Sequence, residues 1–203
     1  MKKTLLAVLL GSFAFASFAQ PITIEKQGAF SAGGTVIEAK KTFDPYHPEP
    51  DAMTLHGDHA NVIYQIPVHA KNISLMFLHG AGQSMRTWQT TPDGREGFQS
   101  VFLRKGYPVY LIDQPRRGDA GRATVDGTIK ASPDEQFWFG QFRMGLWPKF
   151  YDNSAFASQK DLNSFWRQMT PNTGPYNDKV IADAVTDALK KSEGTVLVTH
   201  SQG

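Results

Sequence analysis

Three short apolar runs constrain this chain more than anything else in it. They are "ISLMFLHG" (Ile73–Gly80), "YPVYLIDQP" (Tyr107–Pro115) and "TVLVTH" (Thr195–His200). Each is too short for a helix to span a core, and none alternates apolar with polar residues. Runs of this kind suit strands covered on both faces, as in a parallel sheet. Between them lie segments of helical period. Phe98, Val101 and Phe102 form one apolar stripe, stopped by Gly106. Val180, Ile181, Ala184, Val185, Ala188 and Leu189 form a longer stripe. Asn177 can cap that helix, Lys190 and Lys191 suit its last turn, and Gly194 ends it. Strand, helix, strand, helix, strand is the rhythm of an α/β fold with right-handed crossovers. The expected architecture is a mostly parallel sheet with flanking helices.

The flanking segments add detail. "ITIEKQGAFSAGGTVIEAKKTF" reads as two β-type runs around a turn at "SAGG", and "YHPEPDAMTLHGD" as a proline-broken loop. "HANVIYQIPV" alternates like a half-buried strand. Residues 123–172 show no strand pattern but hold ten aromatic residues, from Phe137 to Trp166. This stretch is expected to be a cap-like insertion over the C-terminal edge of the sheet. Most of its rings should pack on each other, and a few should line an apolar pocket.

"MKKTLLAVLLGSFAFASFAQ" opens with Lys2 and Lys3, continues uncharged to Ala19 and ends in small residues. That is a secretory signal peptide over 1–19, cut after Ala19 with Ala16 as second choice, and it implies a periplasmic or extracellular protein. The mature domain is then 20–203. The chain has 21 basic and 19 acidic residues, so removing the two lysines balances the charge. Nothing points to nucleic acid, or to a membrane beyond export. The chain has no cysteine, which excludes a thiol nucleophile, a thiolate metal site and disulfides. His47, His56, Asp58 and His59 raise the question of a metal, but they crowd one loop region, and no metal or cofactor is expected.

The chemistry gathers at the ends of the apolar runs. "VTHSQG" places Ser201 where a buried strand meets a sharp turn. A serine hydroxyl needs a base to take its proton and donors to hold the oxyanion that forms. A strand-turn-helix elbow, of pattern G-x-S-x-G, displays such a serine at the top of a sheet. Here Gly203 is the second glycine, and Thr199 stands in place of the first. "FLHGAGQS" ends another buried strand, where His79, Gly80 and Gly82 would shape a loop that aims a backbone N–H at substrate. His79 is read as ordering that loop rather than as a base, and His200 would point away from its neighbour. "DQPRRGDAGR" (Asp113–Arg122) follows the middle run as a structured loop; the plainer alternative is a turn with solvated arginines.

"LHGAGQS", "YPVYLIDQPRRGDAGR" and "VLVTHSQG" follow the order and spacing of the α/β-hydrolase superfamily, and the chain resembles its secreted bacterial serine esterases. The resemblance implies that Ser201 is the nucleophile and that Ala81 and Gln202 supply oxyanion N–H groups, with Gly82 the second choice to Ala81. It also implies a triad acid and histidine after the serine, and neither is among these residues. The chain is therefore expected to be the front part of a parent of about 300 residues, inactive on its own. The expected substrate is a small apolar or aromatic ester; a lipase or peptidase activity stays open. The alternative is a catalytically dead binding module or a gene remnant.

Overall fold

The three apolar runs become neighbouring strands of one sheet, but the last of them, Thr195–Thr199, lies at its edge with Val196 44% exposed, which corrects the expectation of a strand covered on both faces. The computed structural model describes residues 21–156, 158–192 and 194–203. The expected signal peptide, 1–19, lies outside them. In chain order the elements are β1 (Ile24–Ile37), β2 (Leu55–Pro67), β3 (Ser74–Leu78), α1 (Phe98–Arg104), β4 (Val109–Asp113) and α2 (Glu135–Gln141). Then follow β5 (Gly145–Leu146), β6 (Lys149–Phe150), α3 (Gln159–Trp166), α4 (Asp178–Lys191) and β7 (Thr195–Thr199). The main sheet has the order β1-β2-β4-β3-β7.

The sheet is mixed, which corrects the expectation of a mostly parallel one. β3 pairs in parallel with both β4 and β7, but β2 runs antiparallel to both β1 and β4. The crossover rhythm holds only from β3 onward. The two leading strands form an antiparallel pair, and β2 lies against β4 rather than against its chain neighbour β3.

A second correction concerns "SAGG". It is no turn: β1 continues through it, with Ala32 opposite Ala60 and Thr35 opposite Gly57. Gly33 has φ 63°, and a Cβ there would lie 2.7 Å from the Cα of Ala184 in α4. The glycine lets the helix backbone come down onto the strand. The segment read as a proline-broken loop also ends earlier than expected, since β2 already starts at Leu55.

Side chains sort by face. Ala32, Ala60, Val62, Met76, Leu78 and Ile112 pack with Ala184, Val185 and Ala188 of α4. On the other face Leu75, Phe77, Val109 and Leu111 pack with Leu103 of α1, Met85 and Trp88. All five residues of β3 are buried. The Asn177 side chain accepts a hydrogen bond from the Val180 N–H at 3.1 Å, capping α4. Between β4 and α4 the aromatic segment forms its own small core of Phe139, Met144 and Leu162, wrapped by Phe150, Phe156, Phe165 and Trp166. It also holds the β5–β6 hairpin, where no strand was expected. No helix among the described residues is long and apolar enough to cross a membrane.

Candidate active site

The C-terminal ends of β3, β4 and β7 meet at one edge, and each delivers a loop to it. β7 ends at Thr199, and Ser201 follows with φ 57°. A non-glycine residue in the left-handed region is strained, and such strain gathers at functional turns. The serine is exposed, and among the described residues its hydroxyl has no hydrogen-bond partner.

The loop after β3 lies directly against this turn. A Cβ on Gly80 would stand 3.0 Å from the Ser201 Cβ and 3.0 Å from the His200 carbonyl oxygen. Gly203 in turn packs on the backbone of Leu78 and His79. Among the described residues the N–H groups of Ala81, Gly82 and Gln202 find no acceptor, while the Gln83 N–H donates to the Gly80 carbonyl at 3.3 Å. The residues that the sequence places around Ser201 are therefore side by side, with free donors on both loops.

His79 is fully buried beneath them. Its Nδ1 lies 3.0 Å from the Gly80 carbonyl oxygen, which can only accept, so Nδ1 carries the proton. Nε2 then accepts from the Gln114 N–H at 3.4 Å. Burial, followed by the charge of Arg117, pulls its pKa down to about 4 against a bond to Gly80 that raises it, so the ring is neutral. It shapes the loop from below and does not reach the Ser201 hydroxyl. Asp113, at the end of β4, accepts from the Met85 N–H at 2.6 Å and the Asp119 N–H at 2.8 Å. Burial pushes its pKa up.

The loop after β4 departs from the solvated-turn alternative. Arg116 and Arg117 are only 6% and 2% exposed. Arg116 forms a fork on Asp58, at 2.7 and 2.9 Å, and Thr124 donates to the same carboxylate. The Arg116 bond holds the Asp58 pKa down at about 2. Asp58 is thus committed to a guanidinium, His47 bonds Asp44, and His56 is exposed on β2. Among the described residues no three metal-ligating side chains converge.

Arg117 reaches the site itself. Its Nη1 donates to the Gly80 carbonyl at 3.0 Å, its Nε to Asn172 Oδ1 at 2.8 Å, and its Nη2 to the same Asn172 oxygen. Nη2 also lies 3.5 Å from Gln202 Oε1, which Gln114 Nε2 approaches at 3.4 Å. Sequence reasoning named neither Arg117 nor Asn172 as a site residue. Their only signal was position: the loop after a buried strand, and the end of the insertion.

Residues of the aromatic segment line the site. The Thr170 N–H donates to the Gly82 carbonyl at 2.7 Å, and Met169 lies over Gly82. Ser201 lines a cleft of about 1170 Å³ together with the aromatic Trp138, Phe142, Phe156, Phe165 and Trp166 and the charged Lys130, Asp134, Glu135 and Arg143.

No family model matches the sequence. Over 106 residues it is 38% identical to a probable secreted lipase, phiG, of a fungal species (strain ATCC 74256), a match covering 51% of this chain and 25% of that protein. A solved structure of a novel bacterial esterase superposes with a TM-score of 0.74 at 32% identity, covering 91% of this chain and 62% of the esterase. The chain thus spans about a quarter of the curated relative and under two thirds of the solved esterase. In sequence and in fold, over the stretch it spans, the chain resembles the esterases and lipases of the α/β-hydrolase superfamily.

Proposed function

We propose that this chain carries the nucleophile and oxyanion half of an exported serine ester hydrolase. The observation that carries the reading is Ser201: a strained, exposed residue with φ 57° and a free hydroxyl, pressed against a loop with unpaired N–H groups. In the reaction, the Ser201 Oγ adds to the ester carbonyl as its proton passes to a base. The oxyanion that forms takes hydrogen bonds from the Ala81 and Gln202 N–H groups. The alcohol leaves, and water releases the acid from the acyl-enzyme.

Among the described residues no imidazole bonds to the Ser201 hydroxyl, and His79 is occupied by Gly80 and Gln114. No base for Ser201 is identified among the described residues, and the chain spans 62% of the length of the solved esterase. The same observation favours the second reading for these residues alone, a non-catalytic module. The aromatic wall supports a small apolar or aromatic ester as substrate, and residues 123–172 are read as the cap that supplies it. Export rests on residues 1–19 and on the kinship with a secreted lipase.

A serine-directed fluorophosphonate tests this on two purified proteins: this chain, and one carrying whatever the reading frame encodes beyond Gly203. The expected result is a covalent mass increase at Ser201 in the longer protein, abolished by Ser201→Ala. A folded longer protein that stays unlabelled refutes the hydrolase and leaves the non-catalytic module.

A further inference from the structure

A guanidinium buried to 2% exposure normally faces a carboxylate, because a desolvated charge is costly. Arg116 obeys this rule through Asp58. Arg117 does not: among the described residues no carboxylate oxygen lies within ion-pair distance, and its partners are the neutral oxygens of Gly80, Asn172 and Gln202. Two of these residues stand at the free donors. Gly80 precedes Ala81, and Gln202 owns the second N–H. The third, Asn172, closes the insertion.

We propose that Arg117 is the positioning residue of the oxyanion hole, holding the Gly80–Ala81 loop and Gln202 in register through one planar fork and placing a positive charge without a direct ion-pair partner behind the hole. The proposal rests on the reading of Ser201 as nucleophile. A guanidinium suits the task because its N–H groups lie in one rigid plane and fix several acceptors at once, which a lysine cannot do. Its charge is pre-organised and shielded from water, so it acts on negative charge that develops in the transition state more than on the neutral ester. Burial lowers the Arg117 pKa, with Asp113 opposing, which fits a charge set apart from direct pairing.

The test uses the longer protein that labels at Ser201. It compares wild type, Arg117→Met and Arg117→Lys in kcat and KM for a p-nitrophenyl ester. It also compares affinity for a trifluoromethyl ketone, which the serine converts to a tetrahedral anion, with affinity for the matching methyl ketone. Arg117→Met is expected to lower kcat and trifluoromethyl ketone affinity together by roughly tenfold to a hundredfold, as a misaligned hole would. KM and methyl ketone binding should change by no more than about twofold, since uniform binding is left in place. Arg117→Lys should recover part of the loss through its charge. Equal losses for both ketones, or no loss, overturn the proposal. If Arg117→Met does not fold, Asn172→Ala, which frees one side of the fork and keeps the charge, must show the same selective loss. A wild-type protein that fails to label overturns the nucleophile reading and this proposal together. One that labels, with variants that behave like wild type, overturns this proposal alone.

Discussion

A histidine at the end of a buried strand is tolerated either as a cation with a partner or as a neutral ring with both nitrogens bonded. His79 takes the second course, and this has a consequence in pH. Its folded pKa is about 4 against an ordinary 6.5, so below pH 6.5 the unfolded chain binds a proton that the folded chain refuses. Stability is then greatest above pH 6.5 and falls as the pH drops toward 4, by about 3 kcal/mol in total if His79 acts alone. Asp113 works in the opposite sense, because burial raises its pKa and its folded carboxyl holds a proton that the unfolded one has lost. The net slope is therefore smaller than His79 alone would give. Denaturant titrations at intervals from pH 7 to 4.5 should show stability falling with pH in wild type. The decline should flatten in His79→Gln, which keeps an acceptor near the Gln114 N–H but cannot titrate. At this scale the sequence was informative about position where a residue type met a strand end, as with the buried His79 and the turn that holds Ser201. It was silent on Arg116 and Arg117, because an arginine in a Gly-Pro-rich loop looks the same whether water or protein surrounds it. Their partners Asp58 and Asn172 lie more than fifty residues away, with nothing local to announce them.

Elements whose signal is local were legible, and elements whose signal is distant were not. The stripe of α4, its Asn177 cap and the buried runs of β3 and β4 all follow from signals within a dozen residues, whereas the β7 run, equally apolar, is a half-exposed edge strand. "SAGG" was misread because a glycine pair serves a turn and a close approach equally well. The cause of the second choice, Ala184, lies in another element. Gly33→Ala therefore carries two costs. An alanine at φ 63° meets its own carbonyl, at about 1–2 kcal/mol, and its Cβ drives into the α4 backbone at 2.7 Å, an overpacking cost of about 1–3 kcal/mol. Urea denaturation should show a loss of about 2–5 kcal/mol. A turn at this site would have absorbed the change at the first cost alone, so a loss of no more than about 1–2 kcal/mol would contradict the close approach.

On the scale of the whole molecule, the sheet order was hidden for the same reason: nothing near Leu55 says that β2 will lie beside β4 rather than β3. The aromatic segment was legible as a concentration of rings, and in the structure some of them pack into a cluster of their own. Its core of Phe139, Met144 and Leu162 shares no residue with the clusters on the two faces of the sheet. Its C-terminal end is tied to the site by the Thr170 bond to Gly82 and the Asn172 bonds to Arg117. A wall stabilised by its own core can loosen without the sheet loosening, because local opening draws on local contacts. Phe139 is fully buried, and removing its ring should cost about 3–5 kcal/mol of that core. Hydrogen exchange of Phe139→Ala should rise through α2 and α3 and stay unchanged in β3 and β4. In the labelling protein the same variant should raise KM for an aromatic ester more than it lowers kcat, since Trp138, Phe142 and Phe165 line the cleft while Ser201 and its donors sit on the sheet. Exchange that rises equally in β3 would mean that wall and sheet open as one body. The aromatic segment would then be part of the fold's single cooperative unit rather than a separable cover for the site.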